Sequence, residues 1–218
     1  MPGFVLPSDL AVASPKAISR KKINLENEFQ SERALLVEFG RLWDEAEKIW
    51  EREDGTPAFA AYVSADYMAV YEQLKSLRGR VETFLEWGSG LGVVTIMASR
   101  MGFVASGIEA ESELVDYSND LADEFDCTAQ FAHGSFIPDN FVWDPSQGDE
   151  SERTAIDLPE GYGQLDLGLE DMDLIYAYPW PTEHPLYHNI LNQFGAPNVK
   201  LLTYDAREGV GLVDLNKS

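Results

Sequence analysis

The chain has 218 residues and a hydrophobic content of 44%, which fits one domain with a sizeable core. Its formal net charge of -22 would repel a phosphate backbone, so no nucleic-acid acceptor held on a broad surface is expected. No apolar run approaches the length of a membrane span, so no membrane partner is expected. The single cysteine, Cys127, excludes an internal disulfide and fits a reducing compartment, so the protein is predicted to be cytoplasmic.

The N-terminal part is predicted to be a flexible tail over residues 1–22, followed by helices over residues 23–79. Apolar residues at three- and four-residue steps predict an amphipathic helix from Asn24 to about Asp54. Ser64 is predicted to cap a second helix that ends near Leu77. The first helix is expected to pack on the remaining domain, and pairing with a second copy as a homodimer is the alternative. Its apolar face consists of Phe29, Leu36, Phe39, Trp43, Ala46 and Trp50.

A glycine-rich turn follows the next apolar segment. Residues 84–92 read FLEWGSGLG, in which a buried strand ends in the acidic residue Glu86 and enters alternating glycines. Such glycines let the backbone turn tightly and approach a ligand closely. A second acidic residue, Glu109, ends the next apolar run. It follows Gly88, the first glycine of the turn, at roughly the 20-residue offset at which an acidic side chain binds a ribose hydroxyl. The segment therefore predicts a nucleoside-binding half of an α/β sheet.

The remaining pattern alternates strands with helices over residues 80–218, which predicts a mostly parallel sheet covered by helices. The predicted strands are Val81–Trp87, Phe103–Ile108, Thr128–Phe131, Asp173–Tyr178 and Val199–Tyr204, with a further one in Val210–Leu215. The predicted helices are Val93–Met101, Ser112 to about Phe125, with Ser112 as its cap, and Glu183–Phe194.

Residues 138–171 form an acidic insertion between the third and fourth strands. They hold ten acidic residues against one basic residue, Arg153. A loop of this length in a compact domain is usually functional or disordered. We expect its centre, Ser146 to Thr154, to be mobile and its end, Tyr162 to Leu169, to fold back near the ligand cleft.

The glycine spacing discriminates between two ligand classes. A dinucleotide fingerprint would need its third glycine at Val93, which disfavours an NAD-dependent oxidoreductase. Glu86, Gly88, Gly90 and Gly92 instead resemble motif I of the class I S-adenosylmethionine (SAM)-dependent methyltransferases, and residues 60–205 look like that fold. The resemblance implies an α/β, Rossmann-like sheet that is mostly parallel and short of the last of the family's seven strands, with an N-terminal helical extension. It also implies SAM as the cofactor.

The resemblance carries over to individual residues. Glu109 matches the acid that binds both ribose hydroxyls, and Ser135 stands where the family usually has Asp or Glu near the adenine amine. Residues 61–64 resemble the entry segment of the seven-strand protein lysine methyltransferases, which lines the methionine end of the cofactor. The cofactor-binding residues implied in this way are Tyr62, Ser64, Glu86, Gly88, Ser89, Gly90, Gly92, Glu109, Gly134, Ser135 and Tyr178. Replacement of Glu109 is expected to change the melting temperature of the ligand-free protein only little, because the residue ends a strand at a solvent-facing cleft.

The segment after the fourth strand occupies the motif IV position of the family. Methyltransferases that act on adenine carry Asn or Asp there, followed by two prolines and an aromatic residue. This chain has Tyr178 at that position and one proline before Trp180, so base methylation is not expected. Tyr178 and Trp180 are the catalytic candidates, since an aromatic wall attracts a sulfonium or an alkylammonium.

These residues predict transfer of a methyl group from SAM to an amine, either a protein side chain or a small molecule. Tyr178, Glu183 and His184 are the candidate proton acceptors. His184 and His188 lie four residues apart, but Pro185 and the absence of an H-E-x-x-H pattern predict no metal site. The alternative function is a non-catalytic SAM- or nucleoside-binding module that regulates a partner through its N-terminal helices.

Overall fold

The computed structural model describes residues 15–142, 154–155, 157–180 and 182–215, with side chains from residue 31 onward. Helix α1 spans Pro15–Glu53, so residues 15–22, which the sequence assigns to a tail, are helical. Residues 1–14 lie outside the described ranges. Among the described residues, 15–38 belong to one compact unit, and those from Phe39 onward belong to a second unit that contains the sheet.

The second unit alternates strands and helices, as predicted. After α1 come a 3-10 turn at Pro57–Phe59, α2 at Tyr67–Leu77, β1 at Thr83–Trp87, α3 at Val93–Arg100, β2 at Val104–Glu109 and α4 at Ser112–Glu124. These are followed by β3 at Gln130–His133, α5 at Tyr162–Leu165, a 3-10 turn at Leu169–Asp171 and β4 at Leu174–Ala177. The last elements are α6 at His184–Phe194, β5 at Lys200–Asp205 and β6 at Gly209–Asp214.

The described strands form one sheet in the order β3-β2-β1-β4-β5-β6. Strands β1 to β5 are parallel to their neighbours, whereas β6 runs antiparallel to β5. This confirms the mostly parallel α/β sheet, which has six strands within the described ranges. From β1 the chain adds β2 and β3 on one side of the sheet, and from β4 it adds β5 and β6 on the other side, so the strand order reverses between β1 and β4. Ligands in open α/β sheets bind at such a point, outside the carboxyl ends of the strands.

Strand β1 is covered on both faces, which explains its continuous apolar sequence. Leu85 and Trp87 join the core cluster that contains Ile190 of α6. Phe84 and Glu86 project to the opposite face, where Glu86 accepts hydrogen bonds from Thr95 of α3. The alternation of side chains along the strand therefore brings a single carboxyl group to the face of the sheet that α3 covers.

Two predicted helix caps and one residue predicted to face inward are wrong. Asp66 rather than Ser64 caps α2, because its carboxylate accepts the Ala69 amide at 3.0 Å. Ser112 is the first residue of α4 and not its cap. Trp50, predicted to face inward, is 42% exposed, whereas Leu42 is fully buried.

The end of the acidic insertion packs into the core. Tyr162, Leu165 and Leu169 are buried, and the Tyr162 hydroxyl donates to the Phe136 carbonyl. Of the predicted mobile centre, residues 146–154, all but Thr154 lie outside the described residues. None of the helices in the described ranges is both long enough and apolar enough to cross a membrane.

The Asp173 side chain, just before β4, forms hydrogen bonds to the start of the neighbouring strand β1. Its carboxylate accepts the Glu82 amide at 2.7 Å and the Thr83 amide at 3.1 Å. We expect Asp173→Ala to lower the free energy of unfolding by about 1–3 kcal/mol, because both amides lose a charged acceptor. Chemical denaturation measures this loss. Asp123→Ala, which removes an exposed carboxylate of α4, is the matched control and should change stability by less than about 0.5 kcal/mol.

Candidate active site

A cleft of about 490 Å³ opens at the carboxyl ends of the parallel strands, where the connection between β1 and β4 reverses. Its volume lies within the range of about 300–1,000 Å³ that small-molecule sites occupy. The predicted site residues that line it are Tyr62, Ser64, Glu86, Gly88, Ser89, Gly90, Glu109, Gly134, Ser135, Tyr178 and Trp180. Among the described residues, Gly92 is the one predicted cofactor-binding residue that does not line the cleft.

The loop after β1 depends on glycine for two different reasons. Gly88 is exposed, and a Cβ added there would meet no atom within 4 Å, so the backbone at Gly88 is open to a ligand. Gly90 has a φ of 54°, and an added Cβ would lie 2.7 Å from the Tyr62 ring. The Tyr62 side chain therefore packs directly on the glycine loop from the entry segment.

Gly92 caps α3 underneath this loop. A Cβ there would lie 2.5 Å from the Phe131 ring and 3.0 Å from the Ser118 side chain. The Ser118 hydroxyl is 2.9 Å from the Gly90 carbonyl, so α4 supports the same loop. Gly92 thus allows close packing of α3, α4 and β3, which is a different role from the predicted ligand contact.

The Glu109 carboxylate is fixed at the end of β2. Its Oε2 accepts the Gly90 amide at 2.8 Å, and its Oε1 accepts the Glu111 amide at 2.9 Å. Burial raises the pKa of Glu109, and the backbone hydrogen bonds act against that rise. Because removal of the carboxylate would leave two amides without their acceptor, the expectation of a nearly unchanged melting temperature does not fit this geometry.

Glu86 is a buried acid whose two oxygens differ in their surroundings. Oε2 accepts both the Thr95 amide at 2.9 Å and the Thr95 hydroxyl at 2.5 Å. Oε1 has no hydrogen-bond partner within the described ranges. Burial raises the pKa of Glu86 to about 8, and the charge of Glu109 acts in the same direction. The group is therefore largely protonated at neutral pH in the ligand-free protein.

Tyrosine hydroxyls surround the Glu86 end of the cleft. Tyr62 and Tyr67 share a hydrogen bond of 3.0 Å between their hydroxyls. Tyr176 of β4 is Glu86's partner in the strand register and is 2% exposed. Its hydroxyl has no hydrogen-bond partner in the described part of the chain. Burial raises the pKa of Tyr62 to about 12 and that of Tyr176 well above its ordinary value, so both stay neutral.

Ser135 faces the end of the acidic insertion. Its hydroxyl donates to the Ala155 carbonyl at 2.6 Å and accepts the Ile137 amide at 3.1 Å. One acceptor position on the oxygen remains for a ligand. The backbone of Gly134 lies against the insertion, where an added Cβ would come within 2.7 Å of the Pro159 carbonyl oxygen. This segment of the insertion therefore forms part of the cleft wall.

Tyr178 and Trp180 line the cleft just beyond the carboxyl end of β4. Tyr178 is half-buried and meets the Tyr204 ring edge-on with 4.9 Å between centroids, while Trp180 is 37% exposed. The buried Glu183 carboxylate accepts the Trp180 amide at 3.3 Å and the Thr154 hydroxyl at 3.0 Å. It thereby holds the aromatic loop and the insertion together.

The three candidate proton acceptors separate in the structure. Tyr178 and Glu183 line the cleft, and His184 does not. Burial raises the pKa of Tyr178, which disfavours its phenolate form. His184 and His188 both lie on α6, and no group of three His, Cys, Asp or Glu side chains in the described ranges is arranged to hold a metal ion.

The sequence missed part of the cleft lining. The further lining residues include Phe136, Thr154, Ala155, Tyr176, Tyr187 and residues 205–208. Residues 205–208 follow the carboxyl end of β5, so the strand-end rule that found Glu109 would have found them as well. Thr154 and Ala155 carry no such signal, because only the folded insertion brings them to the cleft.

The charge of the lining is strongly acidic. Within the described ranges, the only basic side chain that lines the cleft is Arg207. The acidic lining residues are Glu86, Glu109, Glu111, Glu183, Asp205 and Glu208. Hydrogen bonds from the Arg207 and Glu208 amides hold the pKa of Asp205 below its ordinary value, so this carboxylate at the mouth stays charged. Such a lining favours cationic ligands.

Comparison with solved structures establishes the fold. An O-methyltransferase from Bacillus cereus, solved with S-adenosylhomocysteine (SAH), has a TM-score of 0.51 and 13% identity over 75% of this chain and 65% of that protein. The fold is that of the class I methyltransferases. An RNA methyltransferase from Salinibacter ruber in complex with SAH gives a TM-score of 0.48 and 15% identity over 72% of this chain and 95% of that one.

A SAM-dependent methyltransferase from Thiobacillus denitrificans, also solved with SAH, has a TM-score of 0.43 and 16% identity over 67% of this chain and 52% of that chain. No protein-family model and no curated protein matches the sequence. The comparison with the Bacillus cereus structure shows the class I methyltransferase fold and does not identify the methyl acceptor.

The raised pKa of Glu86 makes stability depend on pH. A carboxyl whose pKa rises from 4.5 to about 8 on folding stabilises the fold at low pH, and this contribution is lost as the pH rises through about 8. Glu86→Gln keeps a neutral acceptor for Thr95 at every pH. The variant should therefore gain stability relative to the wild type between pH 5 and pH 8.5, as measured by melting temperature.

Glu82→Gln makes the same change on an exposed residue just before β1, and it should show no such trend. A difference between Glu86→Gln and wild type that is identical at both pH values would contradict the assignment of a proton to Glu86.

Proposed function

We propose that this chain is a SAM-dependent methyltransferase whose acceptor is an amine. The observation that carries the proposal is that one cleft contains both the glycine loop fixed by Glu109 and the aromatic residues Tyr178 and Trp180. The first feature suits a nucleoside, and the second suits an alkylammonium or sulfonium. Their presence in one cleft allows a cofactor and an acceptor to meet.

The described residues fit SAM in three respects. The Glu109 carboxylate can accept bonds from ribose hydroxyls in addition to its two amide donors, since a carboxylate has about four acceptor positions. The backbone at Gly88 is open to a ligand. Ala110 and Leu114 line the cleft beside Glu109, where an adenine ring would find apolar contacts. The solved structures with SAH, including the Bacillus cereus enzyme, support the same cofactor.

SAM would supply a methyl group that its sulfonium already activates, so this chain needs to contribute positioning more than covalent chemistry. Pro179 restricts the backbone before Trp180, and the Glu183 carboxylate accepts a hydrogen bond from the Trp180 amide. Tyr204 supports the Tyr178 ring from the edge. These contacts would hold an acceptor nitrogen in line with the methyl group.

The acidic lining favours an amine over a nucleic acid as the acceptor. A phosphate backbone would meet Asp205 and Glu208 at the mouth with Arg207 as the only described cation in the lining. An amine in its ammonium form is attracted to these carboxylates and to the Tyr178 and Trp180 faces. Because the pKa of Tyr178 is raised, its hydroxyl is better suited to orient the amine than to remove its proton. The ammonium must lose a proton before its nitrogen can attack the methyl group, and that proton would pass to Glu183, the other candidate acceptor that lines the cleft, or to the solvent.

Cofactor binding is the first test. We expect SAM and SAH to bind with micromolar dissociation constants and NAD not to bind, as measured by calorimetry. Glu109→Gln should weaken SAH binding by about 10- to 150-fold, because hydrogen bonds to a charged group contribute about 1.5–3 kcal/mol. Glu113→Gln, on the exposed first turn of α4, is the matched control. Binding of NAD in place of both adenosyl ligands would contradict the proposed function.

The acceptor class is tested with labelled SAM and a cell lysate. Label in basic proteins or in small amines supports the proposal, and label confined to nucleic acid overturns the amine assignment. If SAM binds tightly and no label is transferred, the chain fits the alternative of a non-catalytic binding module.

The aromatic side of the cleft predicts a specific effect on turnover. Trp180→Ala should lower kcat by at least about tenfold, equivalent to ~1.4 kcal/mol in the barrier, since the acceptor loses a wall. SAM affinity should stay within a few fold, because other loops hold the nucleoside. Trp50→Ala replaces a tryptophan of similar exposure that does not line the cleft, and it should leave kcat unchanged.

Tyr178→Phe removes the hydroxyl and keeps the ring, so it separates their contributions to turnover. A lower kcat with a flatter pH profile would assign the hydroxyl a role in orienting the amine, and an unchanged kcat would leave the ring as a wall only. Should Trp180→Ala unfold the protein while its folded fraction keeps full activity, the acceptor site lies elsewhere.

A further inference from the structure

Arg207 is a cation without a partner in an acidic cleft. It lies in the short connection between β5 and β6 and lines the cleft together with the six acidic residues named above. Within the described ranges its guanidinium forms no salt bridge and no hydrogen bond, and its amide alone has an acceptor. A guanidinium has five N–H donors and pairs strongly with carboxylates. The Arg207 side chain is therefore free to bind an anionic group of a ligand.

The connection that carries Arg207 has a fixed path. The Asp205 carboxylate accepts the Arg207 amide at 2.7 Å and the Glu208 amide at 2.9 Å through the same oxygen, Oδ1. The preceding residue, Tyr204, meets the Tyr178 ring edge-on with 4.9 Å between centroids. The backbone at Arg207 is thus tied to the end of β5, and the end of β5 is tied to the aromatic loop after β4.

Arg207 lies on the acceptor side of the cleft. Burial raises the pKa of Tyr178, and the nearby Tyr204 and Asp205 act in the same direction. Backbone hydrogen bonds lower the pKa of Asp205, and the charge of Arg207 acts in the same direction. Tyr178, Asp205 and Arg207 are therefore close enough to interact electrostatically. The glycine loop follows β1, which β4 separates from β5 in the sheet, so the nucleoside side of the cleft is further away.

We propose that the methyl acceptor is an amine that also carries a carboxylate, as an amino acid does, and that Arg207 binds this carboxylate while Tyr178 and Trp180 receive the ammonium. The inference rests on the proposed function, because it names the substrate class of the same site. A planar guanidinium forms two parallel hydrogen bonds to a carboxylate. Asp205 and Glu208 flank Arg207 and would repel a phosphate, which carries nearly two charges, more strongly than a carboxylate with one.

Two-point binding orients the acceptor for the transfer. With the carboxylate held at Arg207, the amine end of the acceptor is directed toward the aromatic loop, which restricts the approach of its nitrogen. After the ammonium has lost a proton, the nitrogen lone pair forms the bond to the methyl carbon. The bond between that carbon and sulfur breaks, its electron pair stays on sulfur and SAH is released. The carboxylate takes no part in the bond changes.

Labelled SAM and the small-molecule fraction of a cell lysate test the acceptor class. Esterification of the labelled product should add one positive charge, seen as faster migration to the cathode at neutral pH. Label confined to amines without a carboxylate, to amines with a phosphate or to protein side chains overturns the inference and leaves the methyltransferase function supported. If no label is transferred, or if label enters nucleic acid alone, the proposed function fails and the inference fails with it.

The labelled acceptor and its decarboxylated analogue then test Arg207 itself. The wild type should prefer the acceptor with the carboxylate by at least about tenfold in kcat/KM. Arg207→Ala should raise KM for this acceptor by at least about tenfold, keep kcat within about twofold and remove the preference. Arg207→Lys keeps the charge without the paired hydrogen bonds and should restore part of it. Arg80→Ala, exposed before β1 and outside the cleft, is the matched control and should behave as wild type.

Binding of cofactor products separates the acceptor carboxylate from that of SAM. Calorimetry should give wild-type affinities of Arg207→Ala for SAH and for 5′-methylthioadenosine, which lacks the amino-acid end. A loss of affinity for SAH alone would assign Arg207 to the cofactor carboxylate and overturn the inference, while the binding itself supports the proposed function. An equal loss of kcat/KM for the acceptor and its decarboxylated analogue also overturns it, because Arg207 would then act on the site without binding a carboxylate.

Discussion

The hydrogen bond between the Gly90 amide and the Glu109 carboxylate is the interaction on which the site depends. It joins the ends of the adjacent strands β1 and β2 and fixes the path of the glycine loop. Tyr62 can then pack on Gly90, and α4 can support the same residue through Ser118. The acid at the end of β2 therefore shapes the loop before any ligand is present. If Glu109 also binds the ribose, as proposed, its replacement will affect both folding and binding.

The sequence predicted the cleft because its main signals are local. The glycine turn, the acid after the next strand and the alternation of strands and helices each depend on short spacings, and they located Gly88, Gly90 and Glu109 correctly in the cleft. Predictions about contacts across the fold were weaker. The sequence cannot show that Phe131 lies against Gly92, or that Ala155 returns from the insertion to the Ser135 hydroxyl. Such contacts join residues that are distant along the chain and follow only from the packed structure.

Two buried carboxyl groups lie near each other without a basic partner, and the fold accommodates them differently. Backbone amides satisfy Glu109, which is the arrangement that best supports a charged carboxylate. Glu86 receives its amide and hydroxyl donors from Thr95 alone, both on one oxygen, and burial favours its neutral form. Neutralisation avoids the electrostatic cost of two close negative charges in a poorly solvated cleft.

The acidic insertion connects parts of the cleft that the sheet keeps apart. Ser135, after β3, binds the Ala155 carbonyl, and Glu183, before α6, binds the neighbouring residue Thr154. Glu183 also binds the amide of Trp180 in the aromatic loop. One short segment therefore contacts both the side expected to hold adenine and the side expected to hold the acceptor. The position of Trp180 depends on how the insertion is anchored, so the two halves of the cleft are not mechanically independent in this protein.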